Sequence, residues 1–401
     1  MGKRKKTKIA VGQAGGPTAV INASLYGFVN EAGDAYEIVG ILNGFQGLAN
    51  NQFVTFNGAL KQELRQSRDV PGAFLGSGRW TMERQDMVQA VQNLKKLDIH
   101  YLVFIGGNGT MWSCKELEET AKELHYDLAV IGIPKTVDND LYETDHAPGF
   151  ASAARYVALS VRDIGKDLQA MQNFESVRII ETMGRNVGWL TAASALLKET
   201  DAQPPHLIYT PEKSLLFHKF LNDISETVKT IGYAIVVVSE GIRDEKGQII
   251  SQLALNEQSQ QQVLGGASSY LSRLISQETK LSSRSEILGM NQRCSQWSVA
   301  AQDRLEAEEI GKQAMNGIRQ GLSGLMLTLL SSSELNEPYA FTIGSCPFEK
   351  VAGLERPLPS CYLNDTGTEI TDSYRKWLRR IVGNDIQGYP DGMTLLGKIA
   401  R

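Results

Sequence analysis

A rhythm limits what this chain can fold into. Short aliphatic and β-branched runs (Lys8–Val11, Glu37–Leu42, Tyr101–Ile105, Leu128–Ile133, Val177–Ile180, Tyr233–Val238) alternate with longer amphipathic stretches such as Ala19–Ala32, Ala147–Met171 and Ala301–Gln320. Runs that are apolar throughout suit strands covered on both faces, and strands joined through helices pair in parallel. The spacing predicts an α/β protein built from mostly parallel, doubly wound (Rossmann-like) sheets, with a boundary near Pro148-Gly149. Ligands in such sheets gather at the carboxyl ends of the strands, which is where the glycine-rich loops of this sequence fall.

Composition removes several function classes. With 401 residues, 42% hydrophobic, the chain can bury more than one core. A net charge of −4 gives no sign of nucleic-acid binding. The four cysteines are far apart without metal-ligand spacing, so free thiols are expected. The longest apolar runs, such as Ala234–Val238, are too short to span a bilayer. Ile9-Ala-Val11, behind the basic start Met1–Lys6, is too short for a signal-peptide core. A soluble, cytoplasmic protein is expected, with no nucleic-acid or membrane partner.

Four loops carry the chemistry. Gly12–Thr18 and Gly106–Thr110 each link a strand to a helix start, where bare N–H groups and the helix dipole bind phosphate; each reads equally as a tight turn. Pro134-Lys-Thr-Val-Asp-Asn-Asp140 sets two acids beside a lysine at a strand end. One carboxylate there can take a proton while another holds a metal, though an Asx-rich turn is also possible. Glu181–Gly188 places Gly-Arg-Asn after a fourth strand, where a lone arginine is most often an ion-pair partner.

Taken together with Gly15-Gly-Pro, Ser239-Glu-Gly-Ile and Leu288-Gly-Met-Asn-Gln-Arg293, these motifs resemble the phosphofructokinase family in order, over about residues 7–325. The resemblance implies Mg²⁺-dependent phosphoryl transfer to the 1-hydroxyl of fructose 6-phosphate in glycolysis, in a cleft between two domains. It implies a donor domain of residues 1–148 plus about 298–330, a sugar-phosphate domain of 149–297, and a C-terminal extension of 331–401. By the same resemblance Asp138 is the catalytic base, with Lys135 and Thr136 at the transferred group. Thr136, Asp138, Met183, Gly184, Arg185, Glu240, Met290 and Arg293 are expected to bind fructose 6-phosphate. Arg284 would reach it across a subunit contact, which implies a homo-oligomer, dimer or tetramer. Gly16, Arg79, Trp80, Gly107, Asn108, Gly109 and Thr110 line the donor side, and Asn108 and Asp140 would hold Mg²⁺.

The donor is read from two positions. Lys135 is what the family's diphosphate users carry, and Asn108 resembles one diphosphate-using clade that reads Gly-Gly-Asn-Asp. Here Gly109 replaces that second acid, which stands where an α-phosphate would go, so the block against ATP is missing. ATP is the expected donor by a narrow margin, with diphosphate as the alternative. A non-catalytic sugar-phosphate sensor on the same fold is a remote third reading.

Overall fold

The computed structural model describes residues 6–253, 266–332 and 338–390; the basic Met1–Lys5 and the last residues of the expected extension lie outside them. The described residues form eleven strands: β1 Thr7–Gln13, β2 Tyr36–Ile41, β3 Phe53–Thr55, β4 Ile99–Gly106, β5 Ala129–Pro134, β6 Val177–Thr182, β7 Leu207–Tyr209, β8 Ala234–Ser239, β9 Ser283–Ile287, β10 Leu325–Ser331 and β11 Phe341–Pro347. They sort into two sheets, of order β11-β10-β5-β4-β1-β2-β3 and β7-β8-β6-β9. The six strands expected from the sequence are all present, as are helices Ile21–Ala32, Phe150–Met171 and Ala301–Arg319. The fold is α/β with mostly parallel sheets, in two Rossmann-like units.

The chain divides into one unit of residues 1–153 with 293–356, and a second of 154–292 with 357–401. The stretch after Ser331 is therefore not a single appended piece. Its first part adds β11 antiparallel to β10 at the edge of the large sheet. Its last part joins the second unit through helix Asp372–Val382, whose Tyr374 and Trp377 pack against Trp189. Tyr374 Oη also donates to the Trp189 carbonyl at 2.7 Å.

In the large sheet, alternation along each strand feeds two cores. Leu102 and Phe104 of β4 point into one apolar cluster with Met87, Leu94 and Met111. Val103 and Ile105 point into the other with Leu25, Phe28 and Ile310. The strands are buried on both faces, which is why they read as continuous apolar runs. From β1 the chain steps to β2 on one side, while from β4 it steps to β5 on the other. The β1 and β4 loops therefore leave the sheet at a topological switch point, where open α/β sheets leave a crevice.

Asp303, on the Ala301–Arg319 helix, fixes the start of the Phe150–Met171 helix. Its carboxylate accepts from Gly149 N at 2.8 Å, Ser152 N at 2.9 Å and Ser152 Oγ at 2.5 Å. Gly149 has a φ of 106° and packs against Thr18, a conformation and a closeness that a side chain would oppose.

Candidate active site

The β1 turn comes first. Gly15 sits at φ 77°, donates its N–H to Gly78 O at 3.0 Å, and accepts from Ser77 Oγ at 2.5 Å. Three cations converge on it. Lys135, delivered by the end of β5, donates its ammonium to Gly16 O at 2.7 Å. A Cβ built on Gly16 would lie 2.6 Å from Arg293 Nη1 and 3.5 Å from Arg79 Nη2, so a side chain there would push the Arg293 guanidinium aside. Burial pushes the Lys135 ammonium down to about 8, with Arg293 and Arg79 acting the same way against the pull of Asp138 and Asp140. Burial and the neighbouring Arg79 also lower Arg293. Such crowding of positive charge at a switch point is a site for a polyanion. Arg293, expected among the sugar-phosphate residues, belongs to the first unit beside Gly16 and Arg79.

The β4 loop lies next to it in the sheet. Gly107 precedes helix Asn108–Glu123, whose first turn is Asn108-Gly-Thr110. Gly106 cannot carry a side chain because the buried Thr110 fills that space. A Cβ on Gly109, by contrast, would meet nothing within 4 Å. Trp80, half-buried, packs against the core cluster of Leu102 and Phe104.

The β5 loop carries the acids. Lys135 N donates to Gly106 O at 2.9 Å, which ties this loop to the β4 turn. The Thr136 hydroxyl accepts from Asp138 N at 3.1 Å, and Asp138 is half-buried. Asn139, buried at φ 55°, fixes the bend by accepting from Ala147 N at 3.1 Å. Asp140 turns one oxygen, Oδ1, into a buried place where no hydrogen-bond partner meets it. Burial raises the Asp140 carboxyl above the usual range, and the nearby Glu355 pushes the same way, while the Thr136 hydroxyl and Lys135 oppose the rise.

Asn108 is tied to a segment distant in sequence. Its carboxamide oxygen accepts from Gly353 N at 2.9 Å, and its amide nitrogen donates to the Leu354 carbonyl. These bonds close a loop at the helix start, and the oxygen keeps a second lone pair. Arg356 pins the other end of the same loop. Its backbone N–H donates to Asp140 O at 2.7 Å, and its guanidinium reaches the carbonyls of Thr144 at 2.5 Å and Asp145 at 2.9 Å. Sequence reasoning missed this segment, because Gly353-Leu-Glu-Arg356 has no periodicity and lies about 200 residues from the loops it meets.

The second unit holds the other expected residues at the carboxyl ends of parallel strands. Met183, Gly184 and Arg185 follow β6, Glu240 follows β8, and Met290 lies just beyond β9. Met183 N donates to Gln292 Oε1 at 2.9 Å, and Gly184 sits at φ 132°. Gly241 approaches the Arg185 carbonyl so closely that no Cβ fits. The Arg185 side chain is exposed. Arg284, on the edge strand β9, pairs with Glu175 at 3.5 Å and lies over the Phe174 ring.

The family pattern described as Phosphofructokinase matches residues 8–318. The chain belongs to the phosphofructokinase family. It is 42% identical over 376 residues to a sulfofructose kinase of Alkalicoccus urumqiensis, covering 94% of this chain and 95% of that one. It is 34% identical to the pyrophosphate–fructose 6-phosphate 1-phosphotransferase of Rhodospirillum rubrum, over 97% of each. The crystal structure of a pyrophosphate-dependent phosphofructokinase from Marinobacter aquaeolei superposes with a TM-score of 0.84 at 28% identity, covering 96% of this chain and 94% of that one. Relatives named for either donor, diphosphate or ATP, are among the matches. The chain is a phosphotransferase.

Among the described residues no helix is long and apolar enough to cross a membrane. Among the same residues no group of three or more His, Cys, Asp or Glu is placed to hold a metal. Mg²⁺ keeps its waters and binds through one or two carboxylates plus substrate phosphates. The unpartnered Asp140 oxygen fits such a role.

Proposed function

We propose that this phosphofructokinase-family enzyme transfers a phosphoryl group from ATP to the 1-hydroxyl of fructose 6-phosphate, giving fructose 1,6-bisphosphate. The observation that carries the reading is the joining of the β5 loop, with Lys135, Thr136, Asp138 and Asp140, to a helix start left open at Gly109. Asp138 accepts the proton of the attacking hydroxyl, as a general base does in the chemical step. Lys135, Arg79 and the N–H groups of Asn108 and Gly109 at the helix start hold the donor's phosphates and offset the charge that builds on them. Phosphoryl transfer depends on such positioning and neutralisation more than on covalent help. Asp140 would hold Mg²⁺, which when bound neutralises the donor's phosphate oxygens.

Met183, Gly184, Arg185, Glu240 and Met290 of the second unit bind the sugar phosphate. The enzyme acts in the cytoplasm as a homo-oligomer, with Arg284 serving a neighbouring copy.

Two further readings have specific support. Lys135 and the full-length relative that uses pyrophosphate favour diphosphate as donor. The sulfofructose kinase relative favours a sulfofructose as acceptor. Assaying kcat/KM for both donors and both acceptors separates these readings. Transfer to fructose 6-phosphate from ATP at the highest kcat/KM supports the proposal. No turnover with either donor and fructose 6-phosphate overturns it.

A further inference from the structure

The turn after Asp138 has a backbone that its own residues do not all favour. Asn139 and Glu143 are both left-handed, at φ 55° and 61°. Asparagine visits that region readily and glutamate does not, so the turn needs ties from elsewhere to keep its shape. Some come from β10: Leu329 N donates to the Thr144 hydroxyl at 2.9 Å, and Leu329 O accepts from Asp145 N at 2.8 Å. Four more come from one half-buried residue in the segment after β11. The Arg356 backbone N–H donates to Asp140 O at 2.7 Å. Its Nη1 donates to Thr144 O at 2.5 Å, and its Nη2 to Asn139 O at 3.2 Å and to Asp145 O at 2.9 Å. Arg356 therefore fastens the start of the turn, 139–140, to its end, 144–145.

We propose that Arg356 is a positioning residue for phosphoryl transfer, its guanidinium holding the 139–145 turn in the shape that aims the Asp138 and Asp140 carboxylates. The inference rests on the reading of Asp138 as base and Asp140 as metal-holding residue, and adds a residue that acts through them. A guanidinium carries five N–H donors in a rigid planar fork, and here one fork serves three carbonyls. A lysine ammonium keeps the charge but is a compact point on a flexible stem, without that fork. Misplacing a catalytic group by about 1 Å costs on the order of a hundredfold in rate, so a slackened turn should show in the chemical step.

The test compares full-length wild type, Arg356→Ala and Arg356→Lys by steady-state kinetics with fructose 6-phosphate and either donor, with melting temperature as the check on folding. Ethylguanidinium or ethylammonium is then added to Arg356→Ala. The proposal expects kcat to fall about 10–100-fold in both variants at an assay temperature where both are folded, with the acceptor KM close to that of wild type. Ethylguanidinium should restore part of the lost kcat and ethylammonium should not. A lower melting temperature with unchanged kcat, or unfolding of both variants, makes Arg356 a stabilising residue only and overturns the proposal. Full kcat in Arg356→Lys, or a loss confined to the acceptor KM, also overturns it. In each of these cases wild-type turnover leaves the reading of Asp138 and Asp140 standing, whereas no turnover by wild type overturns that reading and the proposal with it.

Discussion

Gly109→Asp isolates the feature on which the proposed use of ATP turns. The position is the second residue of the Asn108–Glu123 helix, its backbone lies outside the left-handed region, and a Cβ there meets nothing within 4 Å. The Cβ of the new residue has open space, and an acid in a first helical turn is favoured by about 0.3–1 kcal/mol. Melting temperature should hold or rise slightly. Against an α-phosphate about 4 Å away, one added charge costs about 4 kcal/mol at a dielectric of about 20 and about 1 kcal/mol in water. A donor seated on the helix end excludes water, which favours the upper figure. At about 1.4 kcal/mol per tenfold, kcat/KM for ATP should fall by about two to three orders of magnitude. Diphosphate has no third phosphate, so its kcat/KM should change little, with Lys135 still present to neutralise it. The assay is steady-state kinetics with both donors at saturating acceptor. Unchanged ATP use in a folded variant would refute the reasoning, because the acid would then not face the donor.

Asp138→Asn should lower kcat by about 10²–10⁴ with acceptor affinity largely kept, since a general base acts on the chemical step; isothermal titration with the sugar phosphate beside turnover assays checks it. With its ammonium pushed down to about 8, Lys135 loses its charge as pH rises through that value. The kcat/KM for the donor should therefore fall on an alkaline limb near pH 8, and Lys135→Arg, which keeps its charge, should remove that limb. Buried His146 is held between Glu306 at 2.7 Å and Asp145 at 3.0 Å. Burial alone would lower its pKa, but the two carboxylates overcome that and raise it to about 10. A pKa raised on folding gives stability that is complete below the unfolded value of about 6.5 and lost as pH climbs through about 10. Glu306→Gln should cost about 3 kcal/mol at neutral pH and flatten that decline, as read from denaturant unfolding at several pH values.

The parts of the fold that were legible share one property: they are buried on both sides. β4 and β8 show as unbroken aliphatic runs because neither face meets water. The Ser-Arg-Ser-Glu-Ile run of β9 lies at a sheet edge with exposed side chains, so it has no hydrophobic pattern to read. The three-residue β3 and β7 are too short for a periodicity. In the site, Lys135, Asp138, Asp140 and Gly109 were visible because they are close in sequence to strand ends. The contacts of Asn108 with the Gly353–Leu354 backbone and of Trp80 with the β4 core were not, since each is made with a distant partner. Tertiary contacts at long sequence separation leave no local signature.

The central claim is phosphoryl transfer to the 1-hydroxyl of fructose 6-phosphate with Asp138 as base. Its most direct test is ³¹P NMR of fructose 6-phosphate incubated with wild-type enzyme, Mg²⁺ and either ATP or diphosphate, with Asp138→Asn run in parallel. The account predicts a new 1-phosphate resonance, fructose 1,6-bisphosphate, from the wild type with ATP, and its near-absence from the variant. No new phosphate ester with either donor, or equal product from Asp138→Asn, would contradict it.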